Sequence, residues 1–221
     1  MAREHKKIVM QYVILCEGID TENFLISYLN SSELEYNKKF SETIQTFNFG
    51  GIYDLDTFIL NLKNMEGFDK IKRLMILRDA ENDVDQAIRM IKSTLRKAEL
   101  PIPSECNSWE TASEFKTAFT LMPLCNSTPE PGALEDLCWK ILIDDYSVKD
   151  DVQTFVNEMK AKHNSIRSHE HKSKVHTFFS VNENFISLKT GEAAMAGAFN
   201  WSSPHLESLK ALIEIGFEDL N

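Results

Sequence analysis

Two apolar runs that each end in an acid constrain this chain more than any other feature. Residues 7–16 (KIVMQYVILC) are apolar and rich in β-branched side chains, and Glu17-Gly18 follows at once. Residues 73–78 (RLMILR) repeat the arrangement and run into Asp79. Short runs that are apolar on both alternations suit a strand covered by helices on both faces. Two further strands are expected at 43–49 (TIQTFNF), closed by Gly50-Gly51, and at 115–124 (FKTAFTLMPL), where Pro123 blurs the end. Between them, Phe24, Leu25, Tyr28 and Leu29, then Leu55, Phe58, Ile59 and Leu62, then Val84, Ala87, Ile88, Ile91 and Leu95, recur at helical spacing. Strands alternating with helices specify a parallel α/β sheet.

The pattern changes after the turn Pro129-Glu130-Pro131-Gly132. Helices are expected over 133–146, 148–163 and 204–217, with 173–182 either helix or strand. The expected fold is therefore α/β: a parallel four-stranded sheet flanked by helices, with a helical C-terminal elaboration. Residues 1–130 would form the α/β core and 131–221 the elaboration packed on the same domain.

With 221 residues, of which 43% are hydrophobic, the chain can bury a substantial core. The basic residues before the first apolar run raise the possibility of a signal peptide, but Gln11 interrupts the run and Glu17 meets it with no small-residue cleavage site. A buried strand and a cytoplasmic address fit better. Cys16, Cys106, Cys125 and Cys138 lie far apart and form no C-x-x-C pair, which argues against a disulfide framework or a zinc knuckle. The net charge of −10 disfavours a passive nucleic-acid coat protein. It does not disfavour an enzyme whose cations arrive as metal ions.

In an open parallel sheet, functional groups collect at the carboxyl ends of the strands. Glu17, Asp79 and Glu81 would meet there, and a hard divalent cation such as Mg²⁺ takes a few carboxylates of this kind. The plainer alternative is that each acid merely begins the next helix. Asp83 and Asp85 fit that alternative, as caps of the helix over residues 84–97.

Strand–Glu17-Gly18 followed by strand–Asp79-x-Glu81 resembles the Toprim domain of topoisomerases, primases and OLD-family nucleases. That family carries a Glu after its first strand and Asp-x-Asp after its third, so Glu81 is a departure. The segments Pro131-Gly132-Ala133-Leu134-Glu135-Asp136-Leu137-Cys138, Lys172-Ser173-Lys174-Val175-His176 and Gly191-Glu192-Ala193-Ala194 resemble stand-alone bacterial Toprim proteins of unknown function related to OLD-family nucleases. The resemblance implies a Toprim-like sheet and Mg²⁺- or Mn²⁺-dependent cleavage of DNA or RNA phosphodiesters. It implies Glu17, Asp79 and Glu81 as metal ligands, Glu135 and then Asp136 for a second ion, and Lys174 as an electrostatic catalyst beside Glu17 and Asp79. It also implies work beside an ABC-type ATPase in anti-phage defence. That partner would be a separate protein, because no G-x-x-x-x-G-K-[ST] occurs in this chain.

Several features keep two readings. Acids at 135 and 136 are favoured by a helix N-terminus without any metal, and a lone lysine at 174 is commonly only solvated. The stretch 160–176 (KAKHNSIRSHEHKSKVH) could track a phosphate backbone or serve as a hydrophilic linker. His176 reads as a half-buried histidine, and the small residues from Gly191 to Ala198 as a close helix contact. The functional rival is a catalytically degenerate Toprim-fold interaction module, favoured by the net charge and by Glu81.

Overall fold

The computed structural model describes residues 7–31, 42–124, 128–144, 147–163, 170–218 and 220. The chain runs β1 (Tyr12–Cys16), α1 (Gly18–Leu29), β2 (Ile44–Asn48), α2 (Leu55–Lys63), β3 (Arg73–Asp79), α3 (Val84–Lys97), β4 (Trp109–Ala112) and β5 (Phe115–Met122). Helices α4 (Leu134–Ile141), α5 (Val148–Lys162), α6 (Glu170–Val181), α7 (Thr190–Met195) and α8 (Glu207–Phe217) follow. The sheet order is β2-β1-β3-β5-β4. The first four of these are mutually parallel, and β4 lies antiparallel on the edge beside β5.

The α/β fold and the four parallel strands are as the sequence indicates, but the sheet has five strands, not four. The added strand, Trp109-Glu110-Thr111-Ala112, is short, polar and half exposed, so it carries no apolar alternation. It forms because Ser113 takes a positive φ of 57° and turns the chain directly onto β5, pairing Ala112 with Phe115. Three other boundaries move. Strand β1 begins at Tyr12 and not at Lys7. The segment 173–182 is helical, within α6. The helix expected over 133–146 ends at Ile141, where Leu142 leaves it to bridge Phe199. Residues 145 and 146 lie outside the described residues. No helix among the described residues is long and apolar enough to cross a membrane.

Strand side chains alternate between two layers. Tyr12, Ile14 and Cys16 of β1, with Met75 and Leu77 of β3, join one apolar cluster with α1 and with α4 to α8. Val13, Leu15, Leu74 and Ile76 join the other, under α2 and α3. The first cluster is continuous across residue 130: Leu137, Val152, Phe178 and Leu209 pack in it beside Tyr12 and Phe24.

Two contacts seat the C-terminal helices. Buried Arg73 donates from Nε to Gly216 O at 3.1 Å and from Nη2 to Glu218 O at 3.2 Å, placing a cation at the C-terminus of α8. Helix α7 lies against α1, where Gly191 N donates to Asp20 Oδ1 at 3.0 Å. The small residues read as a close contact make one. A Cβ on Gly191 would fall 2.7 Å from Asn23 Cβ and 3.0 Å from Asp20 Cα. Gly191→Ala is therefore expected to cost about 1–3 kcal/mol. A denaturant titration should show a lower midpoint with an unchanged slope. An unchanged midpoint would mean that α7 docks less tightly than this.

Candidate metal centre at the strand ends

The β3 strand delivers neighbouring residues to opposite faces. Asp79 follows Met75 and Leu77 toward the α4 side, and Arg78 follows Leu74 and Ile76 toward α2 and α3. Glu17 stands at the end of β1, its N–H bonded to Leu77 O at 3.0 Å. Its Oε2 accepts from Asp79 N at 3.3 Å and stands 3.4 Å from Arg78 Nε.

Asp79 is pinned from the other side. Its Oδ1 accepts from Leu134 N, the first residue of α4, at 3.0 Å. The loop that brings α4 there is fixed by a two-bond bridge, Glu81 N to Gly132 O and Gly132 N to Glu81 O, each 2.8 Å. Glu81 takes a positive φ of 55° to make it. Gly132 is needed for the approach, because a Cβ there would meet Asp136 Oδ2 at 2.8 Å. The Asp136 carboxylate accepts from Ala133 N at 2.9 Å, satisfying a free donor at the helix start, and lies 3.8 Å from His171 Nδ1.

Four of the five expected ligands thus act on one another electrostatically. Burial pushes the Asp79 carboxyl well above its ordinary range, and the carboxylates of Glu17, Glu135 and Glu81 push it further. Burial also raises Glu17, opposed first by Arg78. The fifth, Asp136, serves the turn. Asp83 caps α3 through Gln86 N at 2.8 Å, as the sequence indicates.

Lys174 stands apart from the cluster. It donates to Glu170 Oε1 at 2.8 Å, and Lys160 bonds the other oxygen. Those two hydrogen bonds, Lys160 first, hold the Glu170 carboxyl down to about 2. The lysine that meets the cluster is Lys172, 3.9 Å from Glu135 Oε1. Lys172 and His171 wall a cavity of about 270 Å³ with Asp79, Glu81, Asn82 and Gly132. Residues 164–169 of the basic stretch lie outside the described residues. His176 is exposed, edge-on to Phe179, not half-buried. Glu22 was not singled out by the sequence. It is buried in α1, where it accepts from Thr46 Oγ1 at 3.0 Å and Asn48 Nδ2 at 2.9 Å. Its helical spacing from Phe24 and Leu25 gives no hint of this.

Among the described residues, no group of three or more His, Cys, Asp or Glu side chains converges as a ready metal cage. Glu17, Asp79, Glu135 and Asp136 are each drawn instead to a backbone N–H or to a cation. The donor set nonetheless suits Mg²⁺ or Mn²⁺: hard oxygens around a half-buried carboxyl whose charge three neighbours oppose.

The family model of a protein of unknown function, DUF3226, matches residues 11–217. No curated protein and no solved structure matches the chain.

The raised carboxyls give a signed pH dependence. Asp79 and Glu17 bind protons more tightly in the native than in the unfolded chain. Their stabilisation is complete below the unfolded carboxylate range, around pH 4, and is lost as pH rises through the native values. Asp79→Asn cannot ionise and keeps an oxygen for Leu134 N–H. In metal-free buffer its melting temperature should exceed the wild type's at about pH 8, with the gap closing toward about pH 5. A variant melting lower at the higher pH would make the ionised carboxylate a structural requirement.

Proposed function

The chain belongs to the DUF3226 family, whose description assigns no function, and on that premise we propose that it is a divalent-metal-dependent, Toprim-like nuclease acting on nucleic-acid phosphodiesters. The observation that carries this reading is Asp79, half-buried at the end of a central strand, its carboxyl desolvated and set among Glu17, Glu81 and Glu135. A buried carboxylate needs a proton or a cation, and several together cannot all ionise without one. Toprim-like sheets present acids at these same strand ends, and the five-stranded, mostly parallel sheet is compatible with that fold.

Glu17, Asp79, Glu81 and Glu135 would hold Mg²⁺ or Mn²⁺. The ion would supply Lewis acidity toward phosphate oxygens and an activated water. The chain's own residues do the rest. Leu134 N–H holds the Asp79 carboxylate, and Glu17 holds the backbone N–H of the same residue. Lys172, at the wall of the cavity, offsets negative charge on a phosphate held there. Lys174 and Lys160, through Glu170, anchor the start of α6 and so keep Lys172 and His171 on the cavity. The net charge of −10 then becomes a selector, since a polyanion reaches the acids only with cations in place. DNA and RNA are both substrates of this chemistry, and an ABC-type ATPase partner would be a separate chain.

The rival, a degenerate interaction module of the same fold, draws on Glu17, whose carboxylate already faces Arg78. Calorimetric titration of Mn²⁺ and Mg²⁺ into wild type and Asp79→Asn separates the two readings. The nuclease reading expects saturable binding that weakens in the variant by at least the roughly 10–100-fold that losing even an outer-shell partner of a metal ligand costs. It also expects metal-dependent cleavage of labelled single- and double-stranded oligonucleotides that the variant lacks. Equal, non-saturable heats for both proteins, repeated with an oligonucleotide present, would decide for the module.

A further inference from the structure

The opposite face of β3 carries a charge that the carboxylate centre leaves unused. Arg78 is 1% exposed. Its Nε, Nη1 and Nη2 are all buried, and among the described residues none of them finds a hydrogen-bond acceptor. Glu17 Oε2 lies 3.4 Å from Nε, so the contact is an ion pair only. A guanidinium has five N–H donors, and burying them unused forfeits hydration without return. The group is missing an acceptor.

Two cavities flank it. One of about 330 Å³ extends toward Glu81, Asn82 and Asp83. The other, about 250 Å³, extends toward Tyr53, Asp56, Ser93 and Lys97. Ile52, Arg78 and Met90 line both. Charge tells them apart. The first sets one cation against two carboxylates. The second sets Arg78 and Lys97 against Asp56 alone, and Asp56 already accepts from Lys97 and Thr94. Ser93 and Tyr53 add hydroxyl donors there. Met90, half-buried and unbranched, lines both cavities with Arg78 and can change rotamer without backbone movement.

We infer that the second cavity is a phosphate subsite, in which Arg78 receives a backbone phosphate of a nucleic-acid strand that also reaches the carboxylate centre. A planar guanidinium fork matches two phosphate oxygens, and a dry site strengthens the charged hydrogen bonds. The first cavity lies between the two sites, sharing Ile52, Arg78 and Met90 with the subsite and Glu81 and Asn82 with the carboxylate cavity. The anion chemistry stands on Arg78 alone. The identity of the strand rests on the nuclease reading.

Inorganic phosphate titrated in chelator, with no divalent metal, reads this subsite by itself. Calorimetry and the rise of the melting temperature both report binding to the native state. Wild type and Asp79→Asn are expected to bind saturably, and Arg78→Gln to bind about tenfold or more weakly. Arg78→Gln also strips Glu17 of its cation, so Ser93→Glu is the second variant. It places a carboxylate in the subsite at a residue outside the carboxylate cavity, and should lose phosphate while keeping Mn²⁺. A short single-stranded oligonucleotide should displace bound phosphate, and failure to displace it overturns the strand assignment. No saturable binding by wild type, or binding untouched by both variants, overturns the subsite. Phosphate binding with no Mn²⁺ binding by wild type supports the subsite and overturns the nuclease reading.

Discussion

The two-residue alternation of β3 is the constraint on which the rest of this molecule depends. Lying between β1 and β5, the strand is covered on both faces, so every side chain on it must enter one apolar layer or the other. Met75 and Leu77 commit one face to α1 and the C-terminal helices, while Leu74 and Ile76 commit the other to α2 and α3. At the carboxyl end the same parity sends Asp79 one way and Arg78 the other. Opposite charges from adjacent residues are thereby separated by the thickness of the sheet. Neither can neutralise the other directly, and Glu17 at the end of β1 is left to face both.

That separation is costly, and a cost of this kind makes the place the candidate functional site. A chain selected for stability alone would fill positions 78 and 79 with apolar residues, as it fills 74 to 77. Here instead a carboxyl is driven upward by burial and by three like charges, and a guanidinium is buried with no hydrogen-bond acceptor among the described residues. The backbone around them is unusually fixed. Glu81 accepts a positive φ so that Gly132 can bridge it, and Asp136 spends its carboxylate on Ala133 N–H. Rigid support around two unsatisfied charges is the pattern expected of a site built for charged ligands.

Much of this was legible in the sequence, for reasons that differ element by element. The apolar runs gave β1, β2, β3 and β5 because buried parallel strands need apolar side chains on both faces. Glu17, Asp79 and Glu81 could be grouped because strand ends converge in any parallel sheet, whereas Glu135, in the first turn of α4, came only from the family resemblance. Strand β4 was hidden because an edge strand owes its pairing to a turn at Ser113 and to no apolar pattern. Lys172 and Lys174 could not be told apart, since two residues on a helix point in different directions and only the position of Glu170 decides which is tied down. Arg78 was the missed signal. A charge at the end of an apolar strand was visible in RLMILR, but read as a boundary it suggested nothing about burial.

Glu17 joins the two faces in energy as well as in space. Its carboxylate accepts from Asp79 N–H and stands beside Arg78 Nε, so its ionisation is favoured by the cation and disfavoured by burial and by Glu81. An anion on Arg78 would draw that cation's field away from Glu17, while a cation at Asp79 would hold Glu17 ionised without it. A ligand on either face therefore alters the free energy of binding on the other. By linkage the coupling has the same size in both directions. A phosphate alone would leave Glu17 under-compensated, and a metal ion alone would leave Arg78 without its acceptor. On the proposed reading, both charges are met at once only when a phosphate-bearing substrate and a divalent metal are bound together, one at Arg78 and the other at Asp79.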